Sequence, residues 1–176
     1  MKLKNVAVLI FITCSAILSS CKKENVDTLP PATQSGAGTF GCKINGKVYV
    51  PKGNSGTGVP NPKVQYDLDL NGKPYLTIET FQHPSDNTGF RLTFRYLEGL
   101  GYYRVKDSLR FDCGWPSAIG NCGNSSADPN VFTKGGGLIS NINLVNRTVS
   151  GIFAFKVKNS VCDTIFITDG RFDIKF

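Results

Sequence analysis

The sequence predicts an all-β protein, an antiparallel meander of about nine or ten strands forming a β-sandwich or a flattened barrel. Three observations carry this. Apolar and polar residues alternate with period two, as where Phe90, Leu92, Phe94 and Tyr96 interleave with Arg91, Thr93 and Arg95. The pairs Asn45-Gly46, Asn71-Gly72 and Asp169-Gly170 each separate two such runs, and each accepts the positive φ that a tight hairpin turn requires. After the leader, no stretch carries an apolar stripe at helical spacing.

In chain order, residues 1–20 read as a bacterial lipoprotein signal peptide. Lys2 and Lys4 supply the basic front, and residues 6–18 form an apolar segment too short to span a bilayer as a helix. Leu18-Ser19-Ser20-Cys21 matches the pattern in which the cysteine is acylated and becomes the new N-terminus. Several acyl chains on Cys21 would anchor the protein to a membrane stably, where a single chain would not. Residues 21–38 hold Pro30, Pro31, Gly36, Gly38 and several polar side chains with little to bury, and are expected to be a flexible tether. Residues 39–176 are expected to form one domain.

Within that domain, strands are expected at 39–44 and 47–50 around Asn45-Gly46, and at 64–70 and 75–80 around Asn71-Gly72. The alternating run 90–96 follows. Residues 138–144 and 149–157 are joined by a turn at Asn146-Arg147, and residues 165–168 and 171–176 by Asp169-Gly170. Phe40, Cys42 and Ile44 share one face of the first strand, so Cys42 is expected to point inward. Two irregular stretches rich in Gly, Pro and Asn, 52–63 and 114–137, read as long loops.

Of six cysteines, Cys14 leaves with the leader and Cys21 takes lipid. Cys42, Cys113, Cys122 and Cys162 remain, an even number in an exported chain, which suggests two disulfides with three possible pairings. Cys113 and Cys122 flank a short loop and are the first choice for a bridge, which leaves Cys42 for Cys162. A zinc site is not suggested, because no Cys-x-x-Cys occurs and His83 is the sole histidine. The formal charge of +7 falls by two with the leader, and the remaining basic residues do not cluster as in a nucleic-acid binder.

Chemistry-bearing patterns are sparse. His83-Pro84-Ser85-Asp86 lacks a nucleophile elbow and fits a solvated turn. Asp67 and Asp69 share a strand face and offer either a carboxylate pair for glycoside hydrolysis or an ordinary solvent face. Asp128-Pro129-Asn130 lacks the ligand density of a calcium loop. Trp115, Tyr102 and Tyr103 are the candidate ligand contacts, since an aromatic ring in a glycine-rich loop stacks on a sugar or anchors a partner; Trp115 equally fits as a plug of the β core. No catalytic residue, metal or cofactor is expected.

The segments 29–36, then Thr39-Phe40-Gly41-Cys42 and Asn45-Gly46-Lys47, resemble the opening of an uncharacterised lipoprotein family common in Bacteroidota. Residues 148–155 and 167–173 resemble its C-terminal part. The resemblance spans most of the chain after the leader. It implies an all-β outer-membrane lipoprotein and lends no activity and no catalytic residues. Lys22-Lys23-Glu24 is similar to part of the signal that sends such lipoproteins to the cell surface, although Asn25 stands where a second acid would follow. The expected partners are the membrane, through the N-terminal lipid, and a glycan or another envelope protein.

Overall fold

The computed structural model describes residues 27–52, 60–81, 89–105, 132–158 and 164–176, and the backbone of 109–114 and 124–125. Eleven strands run among them. They are β1 (Thr39–Ile44), β2 (Lys47–Tyr49), β3 (Lys63–Leu68), β4 (Pro74–Phe81), β5 (Gly89–Arg95), β6 (Gly101–Arg104), β7 (Leu109–Gly114), β8 (Asn124–Ser125), β9 (Phe132–Asn143), β10 (Thr148–Lys158) and β11 (Ile165–Lys175). Sheet A has the order β2-β1-β11-β10-β9-β6 and sheet B the order β3-β4-β5-β7-β8. Every pairing is antiparallel. The two sheets stay open, so the fold is the sandwich of the two architectures expected.

The meander is interrupted twice. The first strand lies beside the last, with Phe40 opposite Phe172. The chain also leaves sheet B after β5, adds β6 to the edge of sheet A, and returns as β7. Tyr96 (φ 56°) starts that crossing, and the buried Leu97 fastens it by donating its N–H to the Pro74 carbonyl at 2.8 Å.

The inner faces carry the alternation read from sequence. Phe40 of sheet A meets Phe90 of sheet B at 5.4 Å between ring centroids, and Phe94 of sheet B meets Phe172 of sheet A at 5.7 Å. Glycine makes room for these rings: a Cβ on Gly151 would stand 2.7 Å from the Phe172 ring. Tyr49 links the sheets through its hydroxyl, 2.9 Å from the Thr80 hydroxyl, and burial pushes its phenol up to about 12.

Turn chemistry separates the three dipeptides. Asn45 (φ 48°) and Gly46 (φ 82°) form the expected two-residue hairpin between Ile44 and Lys47. At Asn71-Gly72 only Gly72 has positive φ. The turn starts at Asp69, whose carbonyl accepts from the Gly72 N–H at 2.9 Å and whose carboxylate accepts from the Asn71 and Lys73 N–H groups, each at 2.9 Å. At Asp169-Gly170 the expected hairpin does not form. β11 runs straight through, and its register slips against both β10 and β1 there, which is a β-bulge. The positive φ of Asp169 (53°) serves the bulge, because continuous partners on both sides hold the strand extended. The loop expected over 114–137 is likewise shortened by β8 and by the early start of β9 at Phe132.

Residues 27–38, expected within a flexible tether, lie on the outer face of sheet A. Asp173 explains why. Its side chain points outward from β11 yet is only 1% exposed. Its carboxylate accepts from Thr33 Oγ1 at 2.6 Å, from the backbone N–H groups of Ser35, Gly36 and Ala37 at 2.9, 2.7 and 3.3 Å, from Ser35 Oγ at 3.2 Å, and from Ser150 Oγ at 2.8 Å. Upstream, Pro30 packs over Gly41 and its carbonyl accepts from Arg171, while Asp27 pairs with Lys52 at 2.7 Å. We call residues 27–38 the strap.

Burial alone would raise the pKa of Asp173, but the donors around the carboxylate outweigh it and hold the group well below its ordinary 3.8. The stabilisation is therefore complete above the unfolded-state value and is lost as pH falls from there towards the folded-state value. Asp173→Asn should lower stability by about 1.5–3 kcal/mol. In thermal melts its deficit against wild type should be constant above about pH 5 and shrink in more acidic buffer; a deficit that grows on acidification would contradict the cage. Gly46→Val should cost about 1–3 kcal/mol, since a β-branched residue is strained at φ 82°. An unchanged denaturant midpoint for that variant would contradict the turn.

Candidate functional site

The strap covers the outer face of sheet A around Asp173 and over Gly41, and among the described residues nothing covers Leu138, Ile152 and Tyr102 farther across that face. Strand register sets its central rung: Gly41, Arg171, Ile152, Leu138 and Tyr102 lie side by side across β1, β11, β10, β9 and β6. Strap residue Ala32 forms one bank and Tyr102 the other of an open groove of about 620 Å³. Leu138, Ile152, Ala154 and Arg171 line it, and Gly136 and Gly170 contribute to its lining.

Tyr102 is 61% exposed, and its ring reaches diagonally over Gly136. A Cβ on Gly136 would stand 2.8 Å from the Tyr102 ring, so the glycine lets the aromatic ring lie low across the sheet. The polar side of the groove is occupied within the protein. Arg171 donates to the Pro30 and Asp169 carbonyls, each at 3.3 Å. Asp169 pairs with Lys43 at 2.9 Å, and that hydrogen bond holds its carboxyl below the ordinary range. What the groove offers a ligand is apolar area, in a shape too shallow to enclose a small molecule.

The candidates read from sequence divide as follows. Tyr102 lines the groove. Tyr103 does not: it is 8% exposed, packs edge-on against Phe94 at 5.6 Å, and donates its hydroxyl to the Gly99 carbonyl at 2.8 Å. Neighbours on a strand face opposite ways, so the two tyrosines were never able to share a site. Burial raises the Tyr103 phenol above its ordinary range.

Trp115, Cys21, Cys122, Cys162, His83 and Asp128-Pro129-Asn130 lie outside the described residues, as does the side chain of Cys113. The expected bridge from Cys42 to Cys162 is corrected: Cys42 points inward as foreseen but carries a free thiol, fully buried opposite Tyr49. Burial pushes that thiol far up, so it behaves as an apolar core group.

Asp67 is exposed and Asp69 half-buried near one end of β3. Asp67 accepts from the Leu68 N–H at 2.8 Å, and Asp69 caps the adjoining hairpin. The outer face of sheet B beside them is polar. Glu79 pairs with Arg91 at 2.7 Å and Lys63 at 3.5 Å, and the Thr77 and Thr93 hydroxyls meet at 3.1 Å. Those groups satisfy one another, as on an ordinary solvated sheet face.

No family model matches the chain, and no curated protein or solved structure is significantly similar to it.

Sequence reasoning named Tyr102 but missed the rest of the groove, since Leu138, Ile152 and Arg171 meet only through strand pairing. The two tyrosines should separate in experiment. Tyr103→Ala should cost about 3–5 kcal/mol, as for other buried aromatic truncations, while Tyr102→Ala should leave the melting midpoint nearly in place. Equal losses in a denaturant titration would contradict the assignment of the two rings to opposite faces.

Proposed function

We propose that this chain is a lipid-anchored outer-membrane protein of the cell envelope, related to the Bacteroidota lipoproteins its motifs resemble, and that its β domain binds or scaffolds without chemistry. The leader and Leu18-Ser19-Ser20-Cys21 support the anchor. The observation that carries the binding reading is the open apolar groove with Tyr102 across it. A flat aromatic ring beside aliphatic side chains supplies contact area with little conformational entropy to lose. A bridge between Cys113 and Cys122 belongs to the same reading of an exported protein.

Two measurements test it. Cells fed labelled fatty acid should acylate the wild-type chain and not Cys21→Ala; label retained in the variant would refute the anchor. On a glycan array and in a pull-down from envelope extract, Tyr102→Ala should weaken capture by about tenfold, the order expected of a contact residue worth more than 1 kcal/mol. Release of reducing sugar that disappears in Asp67→Asn or Asp69→Asn would replace the binding reading with a glycan hydrolase.

A further inference from the structure

Beyond the groove, the outer face of sheet A continues along β9, β10 and β11 as a surface of unusual composition. Lys134 and Lys156 stand directly opposite each other across β9 and β10. Like charges in that position repel and destabilise the pair. Lys158 lies opposite Phe132 on the next outward rung, and Arg104 opposite Gly136 on the rung before. Among the described residues, Asp169 of the adjoining groove is paired with Lys43 at 2.9 Å. Interleaved with the cations are large apolar groups open to solvent: Phe132, Phe166, Ile152, Leu138 and Tyr102, each between 38% and 61% exposed. The Lys156 ammonium sits 5.6 Å from the centre of the Phe132 ring, and Phe166 is its cross-strand neighbour on the other side.

We propose that this face is a contact surface for an anionic lipid bilayer. Several observations favour that occupant. Facing lysines are costly in water and favourable over negative headgroups, where each cation contributes roughly a fivefold gain in binding. Aliphatic and phenyl side chains set among lysines match the boundary between headgroups and acyl chains, with apolar groups entering and ammonium groups remaining among phosphates. A saccharide would instead require a dense set of hydrogen-bonding side chains, and two that border the adjoining groove, Asp169 and Arg171, are engaged within the protein. The strap adds a geometric argument, which rests on the anchor proposed above. It is docked on this same face, and the six residue steps from Cys21 to Asp27 reach at most about 20 Å. A lipid on Cys21 would therefore keep this face of sheet A close to the bilayer.

The test uses residues 22–176, which retain the strap and the whole described core and carry no acyl group. In vesicle co-sedimentation this chain should bind phosphatidylcholine vesicles containing phosphatidylglycerol and not pure phosphatidylcholine, with binding that falls as salt is raised. The triple variant Lys134→Gln, Lys156→Gln, Lys158→Gln should bind roughly a hundredfold more weakly. Phe132→Ser with Phe166→Ser should also weaken binding, while Lys63→Gln on sheet B should not. The substituted side chains project into solvent, and a thermal melt verifies each fold; should the triple variant unfold, the phenylalanine pair and the salt series decide. Equal binding to both vesicle types, wild-type binding by the triple variant, or capture by an acidic polysaccharide without vesicle binding would each overturn the proposal. Acylation is read separately through Cys21→Ala, so failure at the vesicle leaves the anchor standing, and failure of the anchor leaves the vesicle result intact.

Discussion

The buried carboxylate of Asp173 organises the outer surface of this protein. A charged group on an open sheet face would ordinarily remain in water. Here a strap with Thr33, Ser35, Gly36 and Ala37 wraps it and turns side-chain and backbone donors onto its two oxygens. Ser150 on the neighbouring strand completes the cage from below. An unpaired buried charge is costly, so strap and carboxylate require each other. The strap in turn divides the outer face of sheet A into a part it covers and a part that no described residue covers. The groove exists because the strap stops at its edge, with Ala32 as one bank.

The two faces of sheet A follow different rules. Inward, phenylalanines from both sheets interlock, and glycines stand where a Cβ would strike a ring or a neighbouring strand. That packing is close and directional, which fixes the register of β9, β10 and β11. Once the inner register is set, the outer residues have no freedom of their own. Lys134 faces Lys156, and Tyr102, Leu138 and Ile152 form a row because Tyr103, Ile139 and Phe153 are committed to the core. Sheet B shows the contrasting outcome. Its outer charges and hydroxyls pair with one another at Glu79, Arg91, Thr77 and Thr93, and leave little for a partner.

Period-two alternation and absence of a helical stripe were enough to define the class, since they depend only on which face of a strand is buried. The Asn45-Gly46 hairpin was legible for the same local reason: two residues that tolerate positive φ between two alternating runs. Asp169-Gly170 has the same local chemistry and became a bulge, because β1 and β10 flank β11 on both sides and hold it extended. Tyr102 and Tyr103 looked equivalent as an aromatic pair, and alternation alone separates them once β6 is recognised as a strand. The inward aim of Cys42 was legible, whereas its free thiol depends on neighbours distant in the chain.

The amino-acid sequence by itself determined the strand faces and the local turn at Asn45-Gly46, both of which rest on interactions among residues a few positions apart. Only the tertiary structure decided that the segment before β1 is docked, that Asp173 is caged, and that Leu138, Ile152, Arg171 and Tyr102 share one groove. Those arrangements join residues up to 141 positions apart, and they follow from strand order and register, which are set by the packing of whole sheets.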